Sequence, residues 1–198
     1  MKKSKIVQIE LWLDCPYNCT FCCLGDYKNK TNSDTKIQTV QKAIDILDTI
    51  DWSTYSELAL IGGELFAFPF SDTLSHVFDT FIQKIILFIK QQKIKRFYIM
   101  TSLMMQNEYF WHIIDTFIQE DIQDYLMINT SYDTKYRFND STKQIWIHNL
   151  QKLDNKQIQV HIETILTDFF LDSYMNKNAE LHSLMQNYSF DILRPTRP

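Results

Sequence analysis

Six short apolar runs alternate with longer segments whose apolar residues recur at helical spacing, and this alternation limits the fold more than any other feature of the chain. Val7, Ile9, Leu11 and Leu13 alternate with Gln8, Glu10, Trp12 and Asp14, the period of a strand. After Thr31-Asn32-Ser33-Asp34, residues suited to opening a helix, Ile37, Val40, Ile44 and Leu47 share one helical face. Leu58-Ala59-Leu60-Ile61 is a continuous apolar run closed by Gly62-Gly63, as a strand covered on both faces would be. Leu74, Val77, Phe78, Phe81, Ile85 and Phe88 mark a second helix, and Phe97-Tyr98-Ile99-Met100 a third strand. Phe110, Ile113, Ile114 and Phe117 mark a third helix, and Tyr125-Leu126-Met127-Ile128 a fourth strand. Asp140-Ser141 can cap a fourth helix carrying Ile145, Leu150 and Leu153. Val160 to Leu166 makes a fifth strand. A weaker helical segment from about Phe169 to Met185 leads to a sixth, Phe190-Asp191-Ile192-Leu193. Such alternation implies an α/β fold with right-handed crossovers and a parallel sheet. Periodicity leaves an open doubly wound sheet and part of a barrel both standing.

No linker or repeat divides the 198 residues, so the whole chain, 1–198, reads as one domain. Hydrophobic residues make up 45% and charged residues 22%, which excludes a disordered chain. The net charge of −4 offers no broad footprint for nucleic acid, and the basic run Lys93 to Arg96 falls where a helix hands over to a strand. Met1-Lys2-Lys3-Ser4-Lys5 resembles the start of a signal peptide, but Gln8, Glu10 and Asp14 interrupt the apolar stretch after it. The most apolar helix, Val77 to Ile89, carries Asp79, Gln83 and Lys84 and is too short and polar to span a bilayer. These features predict a cytoplasmic chain with no membrane partner, in which thiols stay reduced and clustered ones bind metal.

Cys15, Cys19 and Cys22 stand three and two residues apart, just past the first predicted strand. Thiolates in such a loop select iron–sulfur clusters, zinc or copper. Three close cysteines would leave one iron of a four-iron cluster open for chemistry, whereas a closed zinc site needs a fourth ligand, for which His161 is the candidate. Cys23 follows Cys22 directly and reads as a small buried hydrophobe. Only three glycines occur, and the adjacent pair Gly62-Gly63 marks a place where a Cβ would be forbidden.

The spacing C-x-x-x-C-x-Φ-C, with Phe21 before the last cysteine, resembles the signature of the radical S-adenosylmethionine enzymes. Gly62-Gly63-Glu64 is similar to that family's glycine-glycine-glutamate motif, and Thr130-Ser131-Tyr132-Asp133 to the polar segment that meets the cofactor's ribose. The resemblance implies a partial (β/α)6 barrel over nearly the whole sequence, with the last helix absent. It implies that Cys15, Cys19 and Cys22 bind three irons of a [4Fe–4S] cluster and that S-adenosylmethionine binds the fourth. Phe21 would lie near the adenine, Gly62, Gly63 and Glu64 would receive the amino group, and Ser131 and Asp133 would meet the ribose. It further implies cleavage of the cofactor to a 5′-deoxyadenosyl radical, an electron-donor protein of the flavodoxin or ferredoxin type, and either modification of a peptide or protein or activation of a partner by placing a glycyl radical on it. All these positions end predicted strands, the rim where barrel enzymes build their sites.

The chain departs from the family pattern in two places: Leu65 stands where the family has proline, and His161-Ile162-Glu163-Thr164-Ile165 where a glycine-rich segment is usual. Ser131 and Asp133 read equally well as turn or capping residues, and Thr101 and Ser102 form a similar, weaker pair ending the third strand. His76, His112, His148 and His182 fall in helices as surface residues, and Met100, Met104 and Met105 as core filling. A function of another class, a non-catalytic zinc- or cluster-binding subunit, is distinguished by colour, since a four-iron cluster is brown and zinc colourless. The tail Arg194-Pro195-Thr196-Arg197-Pro198 cannot form a covering helix, so strand six is expected to leave apolar surface for a C-terminal extension or a partner.

Overall fold

The structure, a computed structural model, describes residues 5–19, 22, 31–133, 135 and 137–193. Six strands alternate with helices: β1 (Ile6–Glu10), α1 (Ser33–Thr49), β2 (Glu57–Ile61), α2 (Asp72–Lys90), β3 (Arg96–Met100), α3 (Glu108–Gln119) and β4 (Leu126–Ser131). The series continues with α4 (Asp140–Asn155), β5 (Gln159–Ile165), α5 (Asp168–Met175), α6 (Ala179–Asn187) and β6 (Ser189–Leu193). All neighbouring strands pair in parallel, in the order β1-β2-β3-β4-β5-β6. A doubly wound sheet reverses direction at a switch point, and this one does not. The fold is therefore an unclosed, partial barrel, with β1 and β6 as its two ends among the described residues.

The strand pleat sorts the side chains. Leu58, Leu60, Phe97, Ile99, Ile128 and Ile162 are buried in one core with Val40, Phe78, Phe81, Ile114 and Leu153 of the helices. The alternate positions Gln8, Met100, Asn129 and Glu163 face the opposite, concave side, where they line a cavity. Met104 and Met105 are buried and Met100 is half-buried; Met100 and Met104 line that cavity. His76, His112 and His148 are exposed on helices, and His182 stacks on Tyr174. No helix among the described residues is long and apolar enough to cross a membrane.

Four local details differ from the sequence pattern. Strand β1 ends at Glu10 rather than Leu13, because the chain beyond leaves the ladder to lie against the Gly62-Gly63 turn. Tyr125 belongs to a 3-10 turn, and β4 runs on to Ser131. Helix α4 is capped by Asn139, not by Asp140-Ser141: its side chain accepts from Thr142 N and closes a reciprocal capping box. The weak segment before β6 is two helices, the second started by Asn178, which accepts from Leu181 N. Residues 194–198, on which the expectation of a missing last helix rests, lie outside the described residues.

Candidate functional site

The cavity of about 450 Å³ opens at the C-terminal end of the strands and is lined by Cys15, Cys19 and Cys22 together with Gly62, Gly63, Glu64 and Ser131. The three cysteines are half-buried, and none is tied up in a disulfide. A bond from Cys22 N to Cys19 O (3.0 Å) turns the chain between the last two. The described residues bring no three His, Cys, Asp or Glu side chains to a common point that could hold a single metal ion. All three cysteines nevertheless line the same cavity. His161 does not complete a zinc set: its Nδ1 lies 2.8 Å from Ser189 Oγ, and its Nε2 lies 3.4 Å from Asp191. Phe21 and Cys23 lie outside the described residues.

The glycine pair answers to a backbone contact. A Cβ on Gly62 would stand 2.4 Å from the carbonyl oxygen of Trp12, and one on Gly63 2.4 Å from that of Asp14 and 2.6 Å from that of Leu13. Gly63 N donates to Trp12 O (2.9 Å) and Glu64 N to Asp14 O (2.8 Å). The segment leading into Cys15 is thus pressed against the end of β2, a distance only glycine allows. Leu65, where the resembled family has proline, is 2% exposed and folds into the core beside Gly62.

Glu64 is 1% exposed, and its carboxylate is held from β3's end. Thr101 Oγ1 donates to both oxygens (2.9 and 3.1 Å), Ser102 N donates to Oε2 (2.5 Å), and Phe66 N lies 3.4 Å from Oε1. Burial outweighs these bonds and holds the carboxyl above its ordinary pKa. Tyr17, between the first two cysteines, also has its hydroxyl pKa pushed up, first by burial and then by the nearby Glu64 charge. Thr101 and Ser102, read from sequence as a weak pair, therefore belong to the site, and both line the cavity.

Ser131 and Asp133 part company. Ser131, at the end of β4, lines the cavity, whereas buried Asp133 accepts from Lys135 N (3.0 Å) and borders a separate small pocket with Phe169 and Phe170. Two residues carry Asp133 round the strand end, and it turns away. Other cavity residues went unread in the sequence. Asn129 lines the floor, and its Oδ1 is buried without a hydrogen-bond partner among the described residues. Its alternation with buried Ile128 and Thr130 was the available signal. Arg137 is the cation among the described lining residues, facing the same space as Glu10 and Glu163. Behind the rim, Asn107 Nδ2 donates to Phe66 O (2.8 Å) and Phe68 O (3.0 Å), and Asn149 Nδ2 to Leu103 O (2.9 Å) and Met105 O (2.8 Å). These bonds fasten the loops after β2 and β3.

No protein-family model and no curated protein matches the sequence. Solved structures do match the fold. Native anSMEcpe with bound AdoMet (S-adenosylmethionine) superposes with a TM-score of 0.60 at 12% identity, over 99% of this chain and 52% of that one. Native anSMEcpe with bound AdoMet and the Cp18Cys peptide gives 0.60 at 11% identity, over 99% and 52%. The form with the Kp18Cys peptide gives 0.53 at 11% identity, over 97% and 52%. The chain spans about half the length of these structures and shares their architecture.

Proposed function

We propose that this chain is a radical S-adenosylmethionine enzyme in which Cys15, Cys19 and Cys22 hold a [4Fe–4S] cluster. The observation that carries the reading is the meeting, at one cavity on the C-terminal rim of a partial barrel, of three cysteines outside any disulfide with the Gly62-Gly63 backbone. Three thiolates leave one iron for the amino and carboxylate groups of the cofactor. When bound, the cluster supplies one electron to break a sulfur–carbon bond of S-adenosylmethionine, giving a 5′-deoxyadenosyl radical.

The protein's own residues bind and orient. The backbone at Gly62 and Gly63 can come close to a ligand's amino group, since no Cβ intervenes. Glu64 acts at that spot chiefly by fixing the ends of β2 and β3 through Thr101 and Ser102. Asn129 Oδ1 and the Ser131 hydroxyl offer acceptors to ribose or amino groups, and the buried oxygen of Asn129 gains most from such a donor. Phe21 next to Cys22 remains the candidate for the adenine, and Asp133 is assigned a turn role instead of a ribose contact.

A peptide or protein is the preferred substrate, supported by a sheet that, among the described residues, does not close between β1 and β6, and by the fold shared with proteins solved with peptides bound. The electron would come from a flavodoxin- or ferredoxin-type donor. The test is anaerobic reconstitution with iron and sulfide, then reduction in the presence of S-adenosylmethionine. A brown protein releasing 5′-deoxyadenosine is expected. A colourless zinc protein, or a brown one yielding no 5′-deoxyadenosine under any reductant, would overturn the proposal.

A further inference from the structure

Asp14 stands one position before Cys15 and belongs to none of the motifs that mark the site. Its side chain is buried, at 3% exposure, and both carboxylate oxygens are engaged. Oδ1 accepts from the Thr31 backbone N–H and from the Thr31 hydroxyl, each at 2.7 Å. Oδ2 lies 2.6 Å from Lys36 Nζ, which reaches in from the start of α1 and also lies over the rings of Trp12 (5.1 Å) and Phe68 (5.8 Å). The main-chain oxygen of the same residue accepts from Glu64 N. Thr31 lies 17 positions further along the chain, so this one side chain joins the two ends of the segment bearing all three cysteines.

A buried ion pair is weak grounds for stability, since an apolar replacement of like volume often does as well. The position of this buried carboxylate points to a role other than stability. Closing a loop of this length costs chain entropy whichever interaction closes it. If folding closes it, metal binding does not have to. We propose that Asp14 is a positioning residue for the cluster: the clasp of Asp14, Thr31 and Lys36 closes the base of the cysteine-bearing segment before metal arrives, so that the thiols already face one cavity. The inference rests on the cluster reading above, but the clasp itself is observable without metal.

The experiment compares wild type with Asp14→Ala, Asp14→Asn and Lys36→Met, first metal-free and then reconstituted. Hydrogen exchange of the metal-free chain should show the Thr31 amide protected in wild type and exchanging about tenfold faster in Asp14→Ala, the ratio one charge-assisted bond supplies. Amides of Leu60 and Ile99 in the sheet should not change. After reconstitution, iron loss to a chelator should be about tenfold faster in Asp14→Ala, with the conservative Asp14→Asn in between because its oxygen still accepts from Thr31. A purely structural role would move the sheet amides and the melting temperature without separating the iron-release rates of the folded chains. Should Asp14→Ala fail to fold, Asp14→Asn and Lys36→Met carry the comparison. Iron-binding wild type with variants that release iron at the same rate would overturn the clasp alone. Equal Thr31 exchange in wild type and variants would do the same. A wild type that takes up no iron would overturn both this inference and the proposed function, and would be recognised by that.

Discussion

The rim over β1, β2 and β3 and the flank formed by α5, α6 and β6 are built on opposite terms. On the rim, Asp14, Glu64, Thr101, Ser102 and Asn107 are all buried polar residues, and each has its partners within the fold. On the flank, α5 buries only Phe170 and α6 only Leu181 and Leu184, while Met175 is 74% exposed and Leu193 of β6 45% exposed. A buried polar network fixes one arrangement, because each misplaced group costs a hydrogen bond in a low-dielectric setting. Loosely covered apolar surface fixes little. The strands that lead to the cysteines and the glycine pair thus have a defined geometry, while the flank, among the described residues, leaves β6 as an end strand with exposed apolar side chains.

Substitutions should divide along the same line. Gly63→Val has the largest expected effect: its branched Cβ would meet the carbonyls of Leu13 and Asp14, forcing the approach to Cys15 outward at about 3 kcal/mol. Chemical denaturation measures the stability loss and iron analysis the lost cluster. A Gly63→Val chain with wild-type stability and iron content would mean that the close approach at β2 is dispensable. Asn107→Ala comes next, since it strands the carbonyls of Phe66 and Phe68 and should cost about 1–3 kcal/mol, read from the urea midpoint.

Glu64→Gln tests the same network through pH. Burial raises the carboxyl's folded pKa, so its contribution is fully present below the ordinary value of 4.5 and is lost as pH rises through the folded value. The melting temperature of Glu64→Gln, which cannot ionise, should therefore gain on wild type as pH rises from acid to neutral. A flat difference would show that Thr101 and Ser102 solvate the carboxylate as well as water does. The smallest effect belongs to the flank: Ile192→Thr, at a residue 42% exposed, should change stability by under about 0.5 kcal/mol. A loss like that of Asn107→Ala would erase the contrast between the two regions.

Much of this was legible in the sequence because it rests on periodicity. The six strands and helices α1 to α4 follow from apolar spacing, and the cysteine and glycine positions stand out by type alone. The unread part depends on contacts between distant segments. Nothing near Asp14 indicates that Thr31 and Lys36 will reach it, nor that Glu64 will be held by Thr101 and Ser102. Asp133 went the other way: two residues beyond Ser131 on the chain, it turns round the end of β4 to a different pocket, as periodicity past a strand end cannot foresee. The split into α5 and α6 was hidden for a similar reason, since a single Asn178 cap interrupts an otherwise continuous weak amphipathic pattern.

Three cysteines holding a four-iron cluster would leave one iron free for S-adenosylmethionine. Electron paramagnetic resonance of the reconstituted, reduced chain tests it most directly. About four irons per chain and a cubane signal that shifts when S-adenosylmethionine is added are expected, with both lost in Cys15→Ala, Cys19→Ala and Cys22→Ala and both kept in Cys23→Ala. A signal indifferent to S-adenosylmethionine, or one that survives loss of Cys15 and vanishes with Cys23, would contradict it.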